Sequence, residues 1–187
     1  MDAIVETVVQ TFAETCVMTK TTHKLRPFLP ADITALQDLF AQSIEELTAE
    51  SYDDAQRAAW IETAEDATAF GAQLSDGLTL VVGSGGEAQG FATLKDNTVV
   101  QMLYVHPFSA GQGVGSTLVD ALERIAAARG SAELSVDASD TALPFFEKRG
   151  YVATQRNTRM VGDVWLANTT MKKALAPLTP TTPKAVS

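Results

Sequence analysis

Cysteine, histidine and basic residues are all scarce in this sequence. Its one cysteine, Cys16, cannot form a disulfide within the chain, so a reducing compartment is the simple expectation. His23 and His106, the two histidines, are widely spread along with that cysteine, and no metal site is expected from them. Lysine and arginine together number 14 against 23 acids, a net charge of −9. That argues against a protein whose task is to neutralise nucleic-acid phosphates, so no nucleic-acid partner is expected. No apolar run approaches the length of a membrane span, and no membrane partner is expected. The opening "MDAIVETVVQ" has acids and no basic n-region, unlike a secretory signal, and a cytoplasmic enzyme is the expectation.

What remains is ordinary for a globular domain. Of 187 residues, 45% are hydrophobic and 20% charged. Residues 1–22 fit the rest poorly and read as a flexible extension, with Met18 an alternative start and His23 at its edge. The ending "APLTPTTPKAVS" reads as a disordered tail over 176–187. Between them, over 23–175, strands and helices alternate. "HKLRPF" reads as a strand, and Ile33, Leu36, Phe40, Ile44 and Leu47 make one stripe of a helix from about Pro30 to Thr48. Two further helices are expected, about Asp53 to Trp60 and Ala64 to Leu74. "LTLVVGS" and "AQGFATLKD" form a hairpin across "GSGGE", and "NTVVQMLYVHP" is the next strand. A helix then runs to Arg129, closed by Gly130. "AELSVDA" is a strand, "SDTALPFFEKRG" a short helix, and strands over about Tyr151–Met160 and Asp163–Lys173 finish the domain. The pattern implies an α/β fold with a mixed sheet of about seven strands flanked by helices.

The stretch "HPFSAGQGVGSTLVDALE" places Gly111, Gly113 and Gly115 between a strand and a helix. Glycines let the backbone approach a ligand closely. The first N–H groups of a helix lack internal partners, and its dipole favours an anion there. Phosphate or pyrophosphate binding is therefore the chemistry to expect. A P-loop would need lysine after the turn, where Ser116 and Thr117 stand. The dinucleotide fingerprint needs G-x-G-x-x-G, and the spacing here is G-x-G-x-G. A connection that merely lets the helix pack on the sheet is the plain alternative.

"MLYVHPFSAGQGVGSTLVDAL" resembles motif A of the GCN5-related N-acetyltransferases (GNAT), R/Q-x-x-G-x-G/A, and "ELSVDASDTALPFFEKRGY" resembles their motif B. "LRPFLPADITALQDLFAQSIEEL" is similar to the first strand and helix of that family, so the resemblance covers about residues 24–174. The ending "GDVWLANTTMKKAL" is similar to the YafP-like branch.

The resemblance implies a sheet splayed between its fourth and fifth strands, with acetyl-CoA as co-substrate in the gap. It implies that backbone groups of Leu103 and Val105 pair with the pantetheine arm. Gly111, Gln112, Gly113, Val114, Gly115 and Ser116 would hold the pyrophosphate through N–H groups, and Thr117 would add a hydroxyl. Ala110 stands where Arg or Gln is usual, Ser139 where many relatives have Asn, and Phe146 where many have the Tyr that protonates the departing thiolate. Phe145 reads as core. The reaction implied is direct attack by a primary amine in a ternary complex. Candidates for the catalytic groups are Asp137, Tyr104 and Ser139. Asp137 reads equally as a cap of the next helix, Tyr104 as core, and His106 as a turn residue rather than a base.

The acceptor pocket implied by the family lies beside the first two helices, where Glu46, Tyr52 and Trp60 are the candidates. Residues 31–66 hold ten acids (Asp32, Asp38, Glu45, Glu46, Glu50, Asp53, Asp54, Glu62, Glu65, Asp66) against one base, Arg57. Such a field would draw a small cationic molecule or peptide; a solvated helical face is the plainer reading for most of them. Family members are often dimers, so the resemblance leaves a homodimer open, although no stretch identifies an interface. An acyl-CoA-binding sensor without turnover is the alternative function, kept open by Phe146 and Ala110. Acetylation of charged tRNA is disfavoured by the net charge.

Overall fold

The computed structural model describes residues 24–84 and 87–176. The expected N-terminal extension, Met18, His23, Cys16 and most of the expected tail lie outside the described residues. The helical stripe read from the sequence forms α1 (Ile33–Leu47), where Leu36, Phe40 and Ile44 are buried. A 3-10 turn at Pro30–Asp32 replaces the first turn expected of that helix. Arg26 of β1 (Leu25–Pro27) grips both oxygens of Asp32 at 2.7 Å and holds this turn against the strand. Next come α2 (Asp54–Glu62) and α3 (Ala67–Ser75). The third helix starts three residues later than expected because Asp66 is its cap, accepting from the N–H groups of Thr68 and Ala69.

The strands β2 (Leu78–Ser84), β3 (Glu87–Lys95), β4 (Val99–Val105), β5 (Glu133–Ser139), β6 (Val152–Val161) and β7 (Val164–Ala174) join β1 in one sheet of order β1-β2-β3-β4-β5-β7-β6. Helix α4 (Val114–Ala128) follows β4, and α5 (Leu143–Lys148) follows β5. Gly130, at φ +88°, ends α4. The N–H of Ser131 reaches the Ala126 carbonyl and that of Gly130 the Ala127 carbonyl, the paired bonds of a Schellman cap.

All neighbouring strands are antiparallel except β4 and β5, which run parallel and pair only at Val99↔Ser135 and Val100↔Val136. The parting has a local cause. Opposite β3, Thr93 pairs Met102 while Leu94 pairs Val100, so Gln101 is the extra residue of a bulge. A bulge bends its strand and ends regular pairing. Beyond it β4 turns away from β5. One core lies under α4 and α5 on Leu118, Leu122, Ile125 and Phe146. A second lies on the other face, under α1 and α3, around Phe40, Phe70 and Phe91.

Candidate active site

The gap left by the bulge is a cavity of about 570 Å³. Leu103 and Val105 line it from β4, Val136 to Ser139 from β5, and Gly111, Gly113, Gly115 and Ser116 from the turn above. The N–H of His106 donates to the Gln89 carbonyl of β3. Backbone groups alternate sides along a strand. Those of Leu103 and Val105 therefore point away from β3, into the gap.

Gly111 and Gly113, at φ +74° and +89°, bend the chain between β4 and α4 in a way other residues resist. No partner within the described residues takes the N–H of Gly111, Gly113, Val114, Gly115 or Ser116. With the dipole of a 15-residue helix behind them, these donors form an anion cradle. Gln112 departs from the expectation: its N–H bonds the Ser109 carbonyl and its side chain the Phe108 carbonyl, so the turn itself uses those donors. Thr117 donates its hydroxyl proton to the Gly113 carbonyl at 3.1 Å, leaving only its lone pairs for a ligand. The Val114 side chain is buried in the core.

Ser139 and Asp137 line this cavity and also a second one of about 260 Å³. The N–H of Ala142 donates to Ser139 Oγ at 3.2 Å, which leaves the hydroxyl proton available. Asp137 does not cap α5; it accepts from the Thr170 hydroxyl at 2.6 Å instead. Phe146 is 1% exposed, with its edge against Tyr151 at 5.1 Å, and it lines the coenzyme-sized cavity. Phe145, expected as core, is partly buried: it packs against the core with Phe146 edge-on beside it, and it also lines the larger cavity. His106 accepts from the Phe108 N–H as a turn residue and borders neither cavity.

Tyr104 stacks on Phe91 at 5.5 Å and lines both cavities. Burial pushes its phenol far above the ordinary tyrosine range, with Trp60 and Arg159 acting weakly against this, so it keeps its proton. It is a donor rather than a base. Trp60 also lines both cavities, and Tyr52 lines the second. Tyr52 donates to the Ala167 carbonyl and accepts from the Asp140 N–H, so its hydroxyl ties the loop after α1 to β7 and to the end of β5. Glu46 is a correction: it is exposed and borders neither cavity, because α1 turns Ser43, Ile44 and Leu47 toward the space instead. None of the ten acids of 31–66 lines either cavity. Asp53 and Asp66 cap helices, Asp32 holds Arg26, and Asp54 and Glu45 hold Arg57.

Two residues missed by the sequence reading, Arg159 and Asn168, line the smaller cavity from β6 and β7. Their only sequence signal is the polar run of that hairpin, 154–159 on β6 and 168–170 on β7, where Asn157 lies opposite Asn168 and Arg159 opposite Leu166. Among the described residues no group of three or more His, Cys, Asp or Glu is arranged to hold a metal ion, and no helix is long and apolar enough to cross a membrane.

A parted parallel strand pair, free backbone groups along one wall and an anion cradle at its mouth suit an extended arm that ends in a phosphate, as the resemblance implies for the acetyl-CoA of an acyltransferase. Comparison with known proteins agrees. The family model described as Acetyltransferase (GNAT) domain matches residues 47–175. The chain therefore belongs to the GCN5-related N-acetyltransferase family. It is similar to a solved structure from Rhodopseudomonas palustris (the GCN5-Related N-acetyltransferase: Aminotransferase, Class-II), with 51% identity over 84% of this chain and 99% of that one, TM-score 0.82. The Uncharacterized N-acetyltransferase YafP of Escherichia coli is 26% identical over 149 residues, 80% of this chain and 94% of its own. The PaiA N-acetyltransferase of Thermoplasma acidophilum, solved with coenzyme A, shares the fold at TM-score 0.67 and 19% identity, over 80% of this chain and 97% of that one.

Proposed function

We propose that this enzyme acetylates a primary amine by direct attack in a ternary complex, with the coenzyme in the larger cavity and the amine in the smaller. The observation that carries this reading is that Asp137, Ser139 and Tyr104 line both cavities, so the two spaces meet at polar groups. Acetyl-CoA supplies a thioester whose C–S bond breaks as the C–N bond to the amine forms. The N–H groups of Gly111, Gly113, Val114, Gly115 and Ser116 hold the pyrophosphate, and the backbone of Leu103 and Val105 receives the pantetheine arm as an added strand would.

An alkyl ammonium has a pKa near about 10, so it must lose a proton before attack. Asp137 takes that proton, directly or through a water. A backbone N–H of β4 near Val105 polarises the thioester carbonyl and meets the developing oxyanion. Phe146 has no proton to offer the leaving thiolate. A thiol pKa of about 8.5 makes that loss tolerable, and the free hydroxyl proton of Ser139 or a water serves the thiolate. Holding the two reactants side by side supplies much of the remaining acceleration. The sensor alternative rests on Phe146 and Ala110 alone, and family membership weighs against it.

Thiol release from acetyl-CoA, run against polyamines, aminoglycosides, amino acids and short peptides, tests the reading. Release above the blank with one class supports it. Silence across the panel from protein that binds acetyl-CoA favours the sensor.

A further inference from the structure

The charged side chains lining the smaller cavity, Asp137 and Arg159, have opposite signs. They stand on one face of the sheet, because Asp137 pairs Thr170 and Arg159 pairs Leu166, two positions of β7 separated by an even number of residues. Four positions along β7 and two strand spacings across it separate the backbones of Asp137 and Arg159, on the order of 16 Å, a span the two side chains reach into. The cavity between them has aromatic walls in Tyr52, Trp60 and Tyr104.

Arg26, Arg57, Arg149 and Arg156 each face a carboxylate. Among the described residues Arg159 makes no ion pair, although it borders a polar cavity. Beside it, Asn168 Oδ1 already accepts from Asn157 at 3.1 Å, so its N–H2 group is the end left for a ligand oxygen. A fixed cation and an amide donor at one end suit a carboxylate, which a guanidinium meets with two parallel hydrogen bonds. At the other end Asp137 keeps one oxygen free of the Thr170 bond and suits an ammonium. A polyamine or amino sugar would bring positive charge against Arg159, and the acids that would have drawn it lie outside the cavity.

We infer that the acceptor is a small amino carboxylate, an amino acid or a zwitterion of similar size, with its carboxylate on Arg159 and Asn168 and its amine on Asp137. This rests on the transferase reading above and narrows its substrate class.

The test compares amino acids with the matching decarboxylated amines and carboxamides, by thiol release from acetyl-CoA with the wild-type protein. The acids are expected to show kcat/KM roughly 10- to 100-fold above their uncharged counterparts, the range for a hydrogen-bonded charged group. In Arg159→Gln the KM for the amino acid rises by that factor, KM for acetyl-CoA holds, and the preference over the carboxamide disappears. Arg159→Lys recovers part of it. Decarboxylated amines or carboxamides acetylated as fast as the acids, or faster, overturn the inference while leaving the transferase intact. No thiol release with any of these compounds, from protein that still binds acetyl-CoA, overturns the inference. If polyamines, aminoglycosides and peptides are silent as well, the transferase reading falls with it.

Discussion

The hydroxyl of Tyr52 accepts a hydrogen bond from the backbone N–H of Asp140 at 3.0 Å. It also donates to the Ala167 carbonyl at 2.8 Å, so one side chain from the loop after α1 fixes both β7 and the turn beyond Ser139. Tyr52→Phe leaves a donor and an acceptor without partners. The expected loss is about 1–3 kcal/mol, read as a Tm lower by several degrees. An unchanged Tm would mean that water replaces the hydroxyl.

Gly113 and Gly115 should separate backbone demand from space. Gly113 sits at φ +89°, where a Cβ costs about 1–2 kcal/mol, so Gly113→Ala should lower Tm and raise KM for acetyl-CoA. A Cβ at Gly115 would meet Phe145 at 3.5 Å and Val105 at 3.6 Å, ordinary contact, in a helix that favours alanine. Gly115→Ala should therefore keep Tm and hold both kinetic constants within a few-fold. Equal damage from both would contradict the cradle geometry.

Asp137→Asn should lower kcat by about 100-fold near neutrality, at the low end for a general base. KM for acetyl-CoA should stay put. The deficit should shrink at high pH, where the amine deprotonates in water. A pH-independent deficit would assign Asp137 to positioning alone.

Phe146→Tyr should raise kcat by less than about tenfold, because a thiolate whose acid has a pKa near 8.5 leaves with little help. A much larger gain would mean that thiolate departure limits the native enzyme.

Acid should unfold the protein partly through two arginine-held carboxylates. Hydrogen bonds from Arg26 to Asp32, and from Arg156 to Asp140, hold both carboxyls below the ordinary range, with burial opposing. The unfolded chain then takes up these protons first. The stability they contribute is complete above the ordinary carboxylate pKa of about 4 and is lost as pH falls through the lower folded values. Arg26→Met should lower Tm near neutrality and flatten part of its decline in acid, measured as Tm against pH. A parallel decline in the variant would clear this pair of the role.

The coenzyme half of the site was legible in the sequence for a physical reason. The glycines of 111–115 permit a positive-φ turn, and the helix after them is amphipathic, so turn, cradle and packing face follow from neighbours in the chain. The splay was legible only through the resemblance, since a bulge at Gln101 leaves no mark in composition. The smaller cavity was legible only in part: the candidates Tyr52, Trp60, Tyr104, Asp137 and Ser139 line it, while Arg159 and Asn168 were missed. Asp137 and Arg159 share a cavity through the register of β5, β7 and β6, which the sequence does not write locally. The acids near α1 and α2 suggested a cationic acceptor, yet none lines either cavity, and Asp32, Glu45, Asp53, Asp54 and Asp66 serve as caps or ion-pair partners. Glu46 failed with them.

The bulge at Gln101 also divides the molecule by how each half can change. On the coenzyme side the anion cradle is made of main-chain amides, present whatever residues carry them, and Ala110 in place of the usual Arg or Gln leaves them where they are. On the proposed acceptor side the cavity is lined by the tips of side chains, among them Asp137 on β5, Arg159 on β6 and Asn168 on β7. In the proposed reading, point substitutions at Arg159 and Asn168, which border the smaller cavity and not the larger, would change the acceptor while the coenzyme cavity stays as it is.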